Sequence, residues 1–307
     1  MDEERGLKEP VIVIRNKYQL YQEIGRGKFG RVFSGVNKKT NENVAIKMEN
    51  AISPIRLLKN EAKILKYLYD QGCRHIPLVL WYGIDSSFST NYTVLVMPFY
   101  EGSLQLVSPT SLNKAMYSAI NILESVHKRY VLHRDIKPDN FMVKSGELFL
   151  IDFGMATFYI HGFSKHLIES GSQLDEEYSH PDIGSHENIV GTPNYVSYHV
   201  HCGFRGGRRD DLISLGYMYL MLHNKSLPWQ NIEVPSSTTM PTSTSTYDPI
   251  HILHPRNQAR KAAKEFINLK DVCIQTNQQI FDFLMYCYAI DFDEKPDYDM
   301  LCGLFTC

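Results

Sequence analysis

The chain has 307 residues, 43% of them hydrophobic, which is enough for a packed core and argues against wholesale disorder. Its formal charge of −2 gives no global reason to expect nucleic acid or an anionic membrane as main partner. The longest apolar runs, such as Val94 to Met97 and Leu148 to Ile151, are too short to span a bilayer, and the opening M-D-E-E-R-G is charged and offers no apolar signal region or myristoylation glycine.

In chain order, Tyr18 to Ile24, Arg31 to Val36 and Asn43 to Met48 alternate like three antiparallel strands. Ser53-Pro54 is expected to open a helix with Leu58, Ala62, Leu65 and Tyr69 on one face. Leu80 to Tyr82 and Thr93 to Met97 read as two more strands. The first region is thus five strands and one helix (17–97), preceded by an extension over 1–16 and followed by a proline- and glycine-bearing join at 98–103. From Ser111 the texture is helical. Leu112, Met116, Ala119, Ile120, Leu123 and Val126 mark an amphipathic helix, Leu212 to His223 a buried one, and Phe281 to Tyr288 a third, within a region running to 307. Residues 155 to 190 lack periodicity, and 236 to 246, nine of eleven Ser or Thr, read as a low-complexity surface loop. The six cysteines form neither C-x-x-C nor zinc spacing with His, so reduced thiols in the cytoplasm or nucleus are expected.

Chemistry-bearing groups fall along this frame. Gly25, Gly27 and Gly30 form G-x-G-x-x-G between two strands, where missing Cβ atoms let backbone N–H groups approach phosphates; alone, this pattern equally fits a plain hairpin turn. V-A-I-K, Val44 to Lys47, puts a lysine on the following strand, and the helix carries Glu61, placed to pair with Lys47. H-R-D-I-K-P-D-N spans 133 to 140, and I-D-F-G follows with Asp152. These five signals in this order resemble the eukaryotic protein kinases over about residues 17 to 305.

That resemblance implies an α+β, bilobal protein-kinase fold with ATP and Mg2+ as cofactors. Phosphoryl transfer proceeds mainly by positioning and by neutralising spreading charge. Asp135 would accept or orient the substrate hydroxyl's proton, Lys137 neutralise the γ-phosphoryl, and Asn140 and Asp152 supply the metal's oxygen ligands. Lys47 would hold the α- and β-phosphates. Ile24 and Val32 would sandwich the adenine and Phe29 cap the site. Ala45, the gatekeeper Met97, the carbonyl of Pro98 and the N–H of Tyr100 would line the adenine pocket.

Finer motifs narrow the resemblance. Residues 191 to 199 read G-T-P-N-Y-V-S-Y-H, where most protein kinases carry A-P-E with a Glu that pairs with a buried Arg; here the slots hold Ser197, Tyr198 and His199. With R-H-I-P-L-V-L-W-Y-G (74–83), R-R-D-D-L-I-S-L-G-Y (208–217), S-L-P-W-Q (226–230) and D-F-D-E-K-P-D-Y (291–298), the chain resembles the casein kinase 1 family. The family implies protein Ser/Thr substrates, favoured when acidic or pre-phosphorylated. It matches Thr192 to the threonine that contacts the catalytic aspartate and lysine, and Asp211 to the aspartate that holds the catalytic loop's backbone. Two of its phosphate-binding cations are missing: position 194 is Asn, and Ala263 aligns with the key lysine unless the register slips to Lys264. The priming-phosphate pocket is therefore expected to be weak or relocated. Insertions near 164–179, with acidic D-E-E-Y, and 231–254 depart from the family. No tail follows Cys307, so regulation is expected in the inserts or in partners. A monomer is the default. The rival reading is a catalytically weak kinase-fold scaffold, but the lysine, base and D-F-G aspartate that such proteins lose are all present.

Overall fold

The computed structural model describes residues 12–27, 30–54, 56–86, 90–104, 109–159, 188–232 and 250–306. The chain divides into two compact units, Met1–Tyr69 with Pro77–Tyr100, and Asp70–Ile76 with Glu101–Cys307.

The first unit is an antiparallel sheet of β1 (Val13–Ile14), β2 (Tyr18–Gly27), β3 (Gly30–Asn37), β4 (Asn43–Asn50), β5 (Trp81–Asp85) and β6 (Tyr92–Pro98), in the order β1-β2-β3-β4-β6-β5, with helix α1 (Leu57–Asp70). The sheet has six strands, not the expected five. The additional one, β1, is two residues long, too short for alternation to show, and lies in what reads from sequence as an extension. Its Ile14 is fully buried against Tyr18, Leu20, Phe33, Val44, Ile46 and Met48, so this short strand closes the core's edge. Residues i and i+2 share a face of a strand. Val44, Ile46 and Met48 therefore face that core, while Ala45 and Lys47 face the other side.

Helix α1 starts at Leu57, not at Ser53-Pro54. The carboxylate of buried Glu49 accepts the Leu58 N–H at 3.2 Å, so the orphan donors of the first turn are met by β4, from nine residues upstream. Leu58, Ala62 and Leu65 are buried as expected; Tyr69 is 37% exposed and leaves the buried face.

The second unit is mostly helical. Its helices are α2 (Pro109–His127), α3 (Tyr198–His201), α4 (Arg208–Asn224), α5 (Pro255–Lys264), α6 (Phe266–Thr276), α7 (Gln278–Ala289) and α8 (Tyr298–Gly303). The six positions expected on the inner face of α2 are all buried. Helix α4 begins four residues before the expected Leu212, because the Asp210 carboxylate accepts the Gly207 N–H at 2.7 Å and caps the helix. It is buried almost throughout, from Asp210 to Leu220. Two small sheets join the helices: β7 (Gly102–Ser103) with the hairpin β9 (Phe141–Lys144) and β10 (Glu147–Leu150), and β8 (Val131–Leu132) with β11 (Thr157–Phe158). The hairpin turns on Ser145 and Gly146, both at positive φ, as a two-residue turn between twisted strands requires.

Five cysteines are described, at 73, 202, 273, 287 and 302, and each is a free thiol. No described helix is long and apolar enough to cross a membrane. Phe29, the stretch 164–179 with D-E-E-Y, and the Ser/Thr-rich 236–246 lie outside the described residues.

Candidate active site

In the first unit the strand register brings the expected nucleotide-binding positions onto one face. Gly25 pairs with Val32, Val32 with Lys47, Lys47 with Leu95, and Ala45 with Met97. Ile24 falls in a register shift between Glu23 and Gly25 and is 45% exposed. On β6, Pro98 pairs with Val44, and Tyr100 beyond the strand is buried.

Only one of the three loop glycines is required by packing. A Cβ on Gly30 would stand 2.5 Å from the Met48 carbonyl oxygen. One on Gly25 would make only ordinary contact with Val32, and one on Gly27 would meet nothing within 4 Å. Packing within the first unit therefore gives no reason of its own for glycine at 25 and 27. The flanking strands are tied by Glu23. Its carboxylate takes Arg26 Nε at 2.7 Å and both Nε and Nη2 of Arg31, and these guanidiniums hold its pKa down to about 2.

Lys47 Nζ donates to both carboxylate oxygens of Glu61, at 2.8 and 3.0 Å. Glu61 is 1% exposed, so the pair is largely out of water and fixes the ammonium at one point of the sheet. Removing either partner would strand the other as a poorly solvated charge.

The second unit assembles the catalytic loop. Arg134 stands at φ 66°, and Asp211 on α4 accepts the His133 N–H at Oδ2 and the Arg134 N–H at Oδ1, both at 2.8 Å. The same carboxylate meets His127 Nε2 at 3.0 Å, and His127 Nδ1 meets the Tyr298 hydroxyl at 2.7 Å. One buried aspartate thus ties the loop to α4, α2 and α8. His133 is fully buried, and burial lowers its pKa. The Asp135 N–H donates to Nδ1 at 3.3 Å, so a neutral ring donates from Nε2 to the Ile151 carbonyl at 3.0 Å.

Three expected residues meet around Asp135. Its Oδ1 accepts the Thr192 hydroxyl at 2.6 Å. Its Oδ2 accepts Lys137 Nζ at 2.7 Å and Asn140 Nδ2 at 3.2 Å. Lys137 Nζ also donates to Thr192 Oγ1 at 3.0 Å, and Asn140 Nδ2 to the Asp135 carbonyl at 2.7 Å. Gly191 brings Thr192 here. It stands at φ +106°, and a Cβ would lie 2.4 Å from the Arg134 carbonyl oxygen, so only glycine lets this segment reach the loop. Asp152 occupies a left-handed backbone position at φ 66°, ψ 68°, opening the turn Phe153–Met155. Both Asn140 Nδ2 bonds go to Asp135, which leaves the carboxamide oxygen as its group for a cation. An amide oxygen and a carboxylate fit the oxygen preference of magnesium.

Further groups hold the segment after Thr192. Ser197 donates to Asp210 and accepts the Val200 N–H at 3.1 Å. Trp229 Nε1 donates to the Asn194 carbonyl at 2.7 Å, and fully buried Lys264 donates to the Pro193 and Val196 carbonyls. Sequence reasoning singled out Asn194 as a lost cation and missed what grips its backbone. The groups around Lys264 come from outside α5, from Pro193, Val196, His201, Tyr217 and Trp229, which its own stretch of sequence does not show.

A β-rich unit with a glycine loop and an anchored lysine, and a helical unit with an aspartate-centred loop, define a phosphotransferase of the kinase class. The family model described as Protein kinase domain matches residues 18–299, and the chain belongs to that family.

Proposed function

We propose that this chain is an ATP-dependent protein serine/threonine kinase of casein kinase 1 type. The observation that carries the reading is the cluster in which Thr192, Lys137 and Asn140 all donate to Asp135. These donors hold the carboxylate in one orientation, and Oδ1, which accepts only Thr192, retains acceptor capacity for an incoming hydroxyl. Asp135 then orients the substrate Ser or Thr hydroxyl and takes its proton as the phosphoryl leaves ATP. Lys137 has three N–H donors, of which Asp135 and Thr192 use two; the third serves the γ-phosphoryl. Lys47, steadied by Glu61, holds the α- and β-phosphates, with the backbone of Gly25, Gly27 and Gly30 over them. Ile24, Val32, Ala45 and Met97 take the adenine, with Phe29 as the cap, the Pro98 carbonyl as acceptor and the Tyr100 N–H as donor. Asn140 and Asp152 would hold magnesium, which would supply charge neutralisation to the phosphates. The casein kinase 1 type rests on the 74–83, 191–199, 208–217, 226–230 and 291–298 motifs, and with it come a cytoplasmic or nuclear setting and protein substrates that are acidic or already phosphorylated.

The cations for such substrates differ from those the resemblance assigns. Lys264 is engaged inside the fold and cannot restore the missing lysine at 263. A cavity of about 260 Å³ is lined instead by Trp229, Gln230, Asn231, Ile232, Arg256 and Arg260. Among the described residues Arg260 Nη1 donates to Asn257 Oδ1 at 2.9 Å, and Arg260 Nε is buried without an acceptor. Burial, and then nearby Arg256, lower the Arg260 pKa, so an anion in the cavity would be favoured by both cations. We assign the substrate's acidic group to this cavity.

One peptide-library experiment tests the whole reading. Wild-type protein with ATP and magnesium labels Ser/Thr peptides, and Lys47→Ala and Asp152→Asn do not. A phosphoserine walked along the peptide raises turnover at a position other than the third before the acceptor, and Arg256→Ala/Arg260→Ala removes that preference. Labelling that survives Lys47→Ala would overturn the enzyme assignment; a flat phosphoserine response would overturn the cavity assignment alone.

A further inference from the structure

Lys264 is 0% exposed and has no carboxylate among its described contacts, a rare position for a lysine. Burial, with Arg260 near, pushes its pKa well below the ordinary lysine value. Such a residue is costly to keep unless its N–H groups are needed where they stand.

They stand at the segment that carries Thr192. Lys264 Nζ donates to the Pro193 carbonyl at 2.9 Å and the Val196 carbonyl at 2.7 Å, and lies 3.1 Å from His201 Nε2. The rings of Tyr217 and Trp229 hold the same nitrogen, their centroids 5.0 and 5.1 Å away. Trp229 reaches the segment too, through Nε1 to the Asn194 carbonyl. The backbone of Lys264 is itself fixed, since its carbonyl accepts the Tyr288 hydroxyl at 2.8 Å. Three carbonyls in four residues, 193, 194 and 196, are therefore bound by side chains from elsewhere in the unit. Inside the turn, the Tyr195 and Val196 N–H groups return to the Thr192 carbonyl at 2.8 and 3.1 Å. A brace on the 193 and 196 carbonyls is thus a brace on the residue that donates to Asp135.

We propose that Lys264 is a positioning residue, a buried amine that locks the 193–196 turn and so sets both Thr192 against Asp135 and the surface on which the substrate peptide is laid. It does the work that a buried Glu–Arg ion pair would do in a chain ending this segment in A-P-E; Ser197 with Asp210 anchors its far end. The amine needs two N–H donors for this, which it has whether charged or neutral.

The inference rests on the kinase reading only for its kinetic half, so the test has a half that needs no activity. Amide exchange is measured on the full chain as wild type, Lys264→Met and Trp229→Phe, with Lys261→Ala as control. In Lys264→Met the amides of 195 and 196 exchange faster by about ten- to a hundredfold, as loss of a hydrogen bond from a buried group predicts, while α4 and α7 keep their protection. Trp229→Phe, which keeps the ring and loses the donor, gives a smaller change at the same amides, and Lys261→Ala gives none. Unchanged exchange at 195 and 196, or an equal rise throughout the unit, would overturn the brace. In turnover assays Lys264→Met raises the peptide KM and lowers kcat without moving the KM for ATP, and Lys264→Arg restores part of both. Changes in proportion to the folded fraction alone would reduce Lys264 to a packing residue. A wild type that transfers no phosphoryl would fail the function proposed above and leave the exchange result to decide the brace.

Discussion

At the scale of single residues, the hydroxyl of Thr192 is the smallest group with the largest leverage. It donates to Asp135 and accepts from Lys137, closing a three-membered ring of hydrogen bonds. Thr192→Val keeps the shape and removes that link, so Asp135 loses a donor and Lys137 loses an acceptor. We expect kcat to fall by up to about a hundredfold, the cost of a small misplacement of reacting groups, with the KM for ATP unchanged. Thr192→Ser should recover most of the rate. A steady-state assay on the three forms decides it, and equal kcat for wild type and Thr192→Val would remove Thr192 from the machinery. Residues of this kind were legible because their spacing is dictated by chemistry: a base, a lysine two residues on and an amide three further lie within one turn of chain. Lys264 was not legible. Its neighbours at 193, 196, 217 and 229 are remote in sequence, and a lysine in A-R-K-A-A-K-E-F reads as one more solvated cation.

Among elements, long periodic ones announced themselves and short ones did not. Helix α2 shows its inner face in six apolar positions because nineteen residues sample the period five times over. Two-residue β1 samples nothing, and α5, with basic and small residues on most positions, has only Asn257 and Lys264 buried. The start of α1 was misplaced because its cap comes from Glu49 on a strand, not from the adjacent Ser53. The glycine loop was legible as a pattern, yet the structure separates its members. Gly30→Ala forces a Cβ onto the Met48 carbonyl and should destabilise the protein by about 1–3 kcal/mol, the usual cost of overpacking. Gly27→Ala meets nothing and should leave the melting temperature unchanged while weakening nucleotide binding. Thermal unfolding with and without ATP separates the two. A Gly27→Ala variant that binds ATP as wild type does would mean that the loop's second glycine serves neither fold nor ligand.

For the molecule as a whole, the buried bases set how stability follows pH. His201 is 1% exposed; burial first, and then the Lys264 amine, push its pKa down to about 2, from 6.5 in an unfolded chain. His199, on the same helix, is lowered by burial as well. Between those two values the unfolded chain binds a proton that the folded chain refuses, so this histidine's contribution to stability is fully present above about pH 6.5 and is lost as pH drops below it. Each such histidine takes away about 1.4 kcal/mol per pH unit once its unfolded form is protonated. Glu23 titrates with the same sign lower down: its folded carboxylate, held near pH 2 by Arg26 and Arg31, yields stability that is lost as acid approaches that value. Because these contributions share a sign, acid should unfold the chain from the side of α3, where the imidazole, the Lys264 amine and the Pro193 carbonyl meet. Urea unfolding between pH 7.5 and 5 should show a midpoint that falls steadily in the wild type and less steeply in His201→Gln, which cannot take up the proton. If the two slopes coincide, the buried imidazole is not what the acid attacks, and the loss must be sought among the carboxylates.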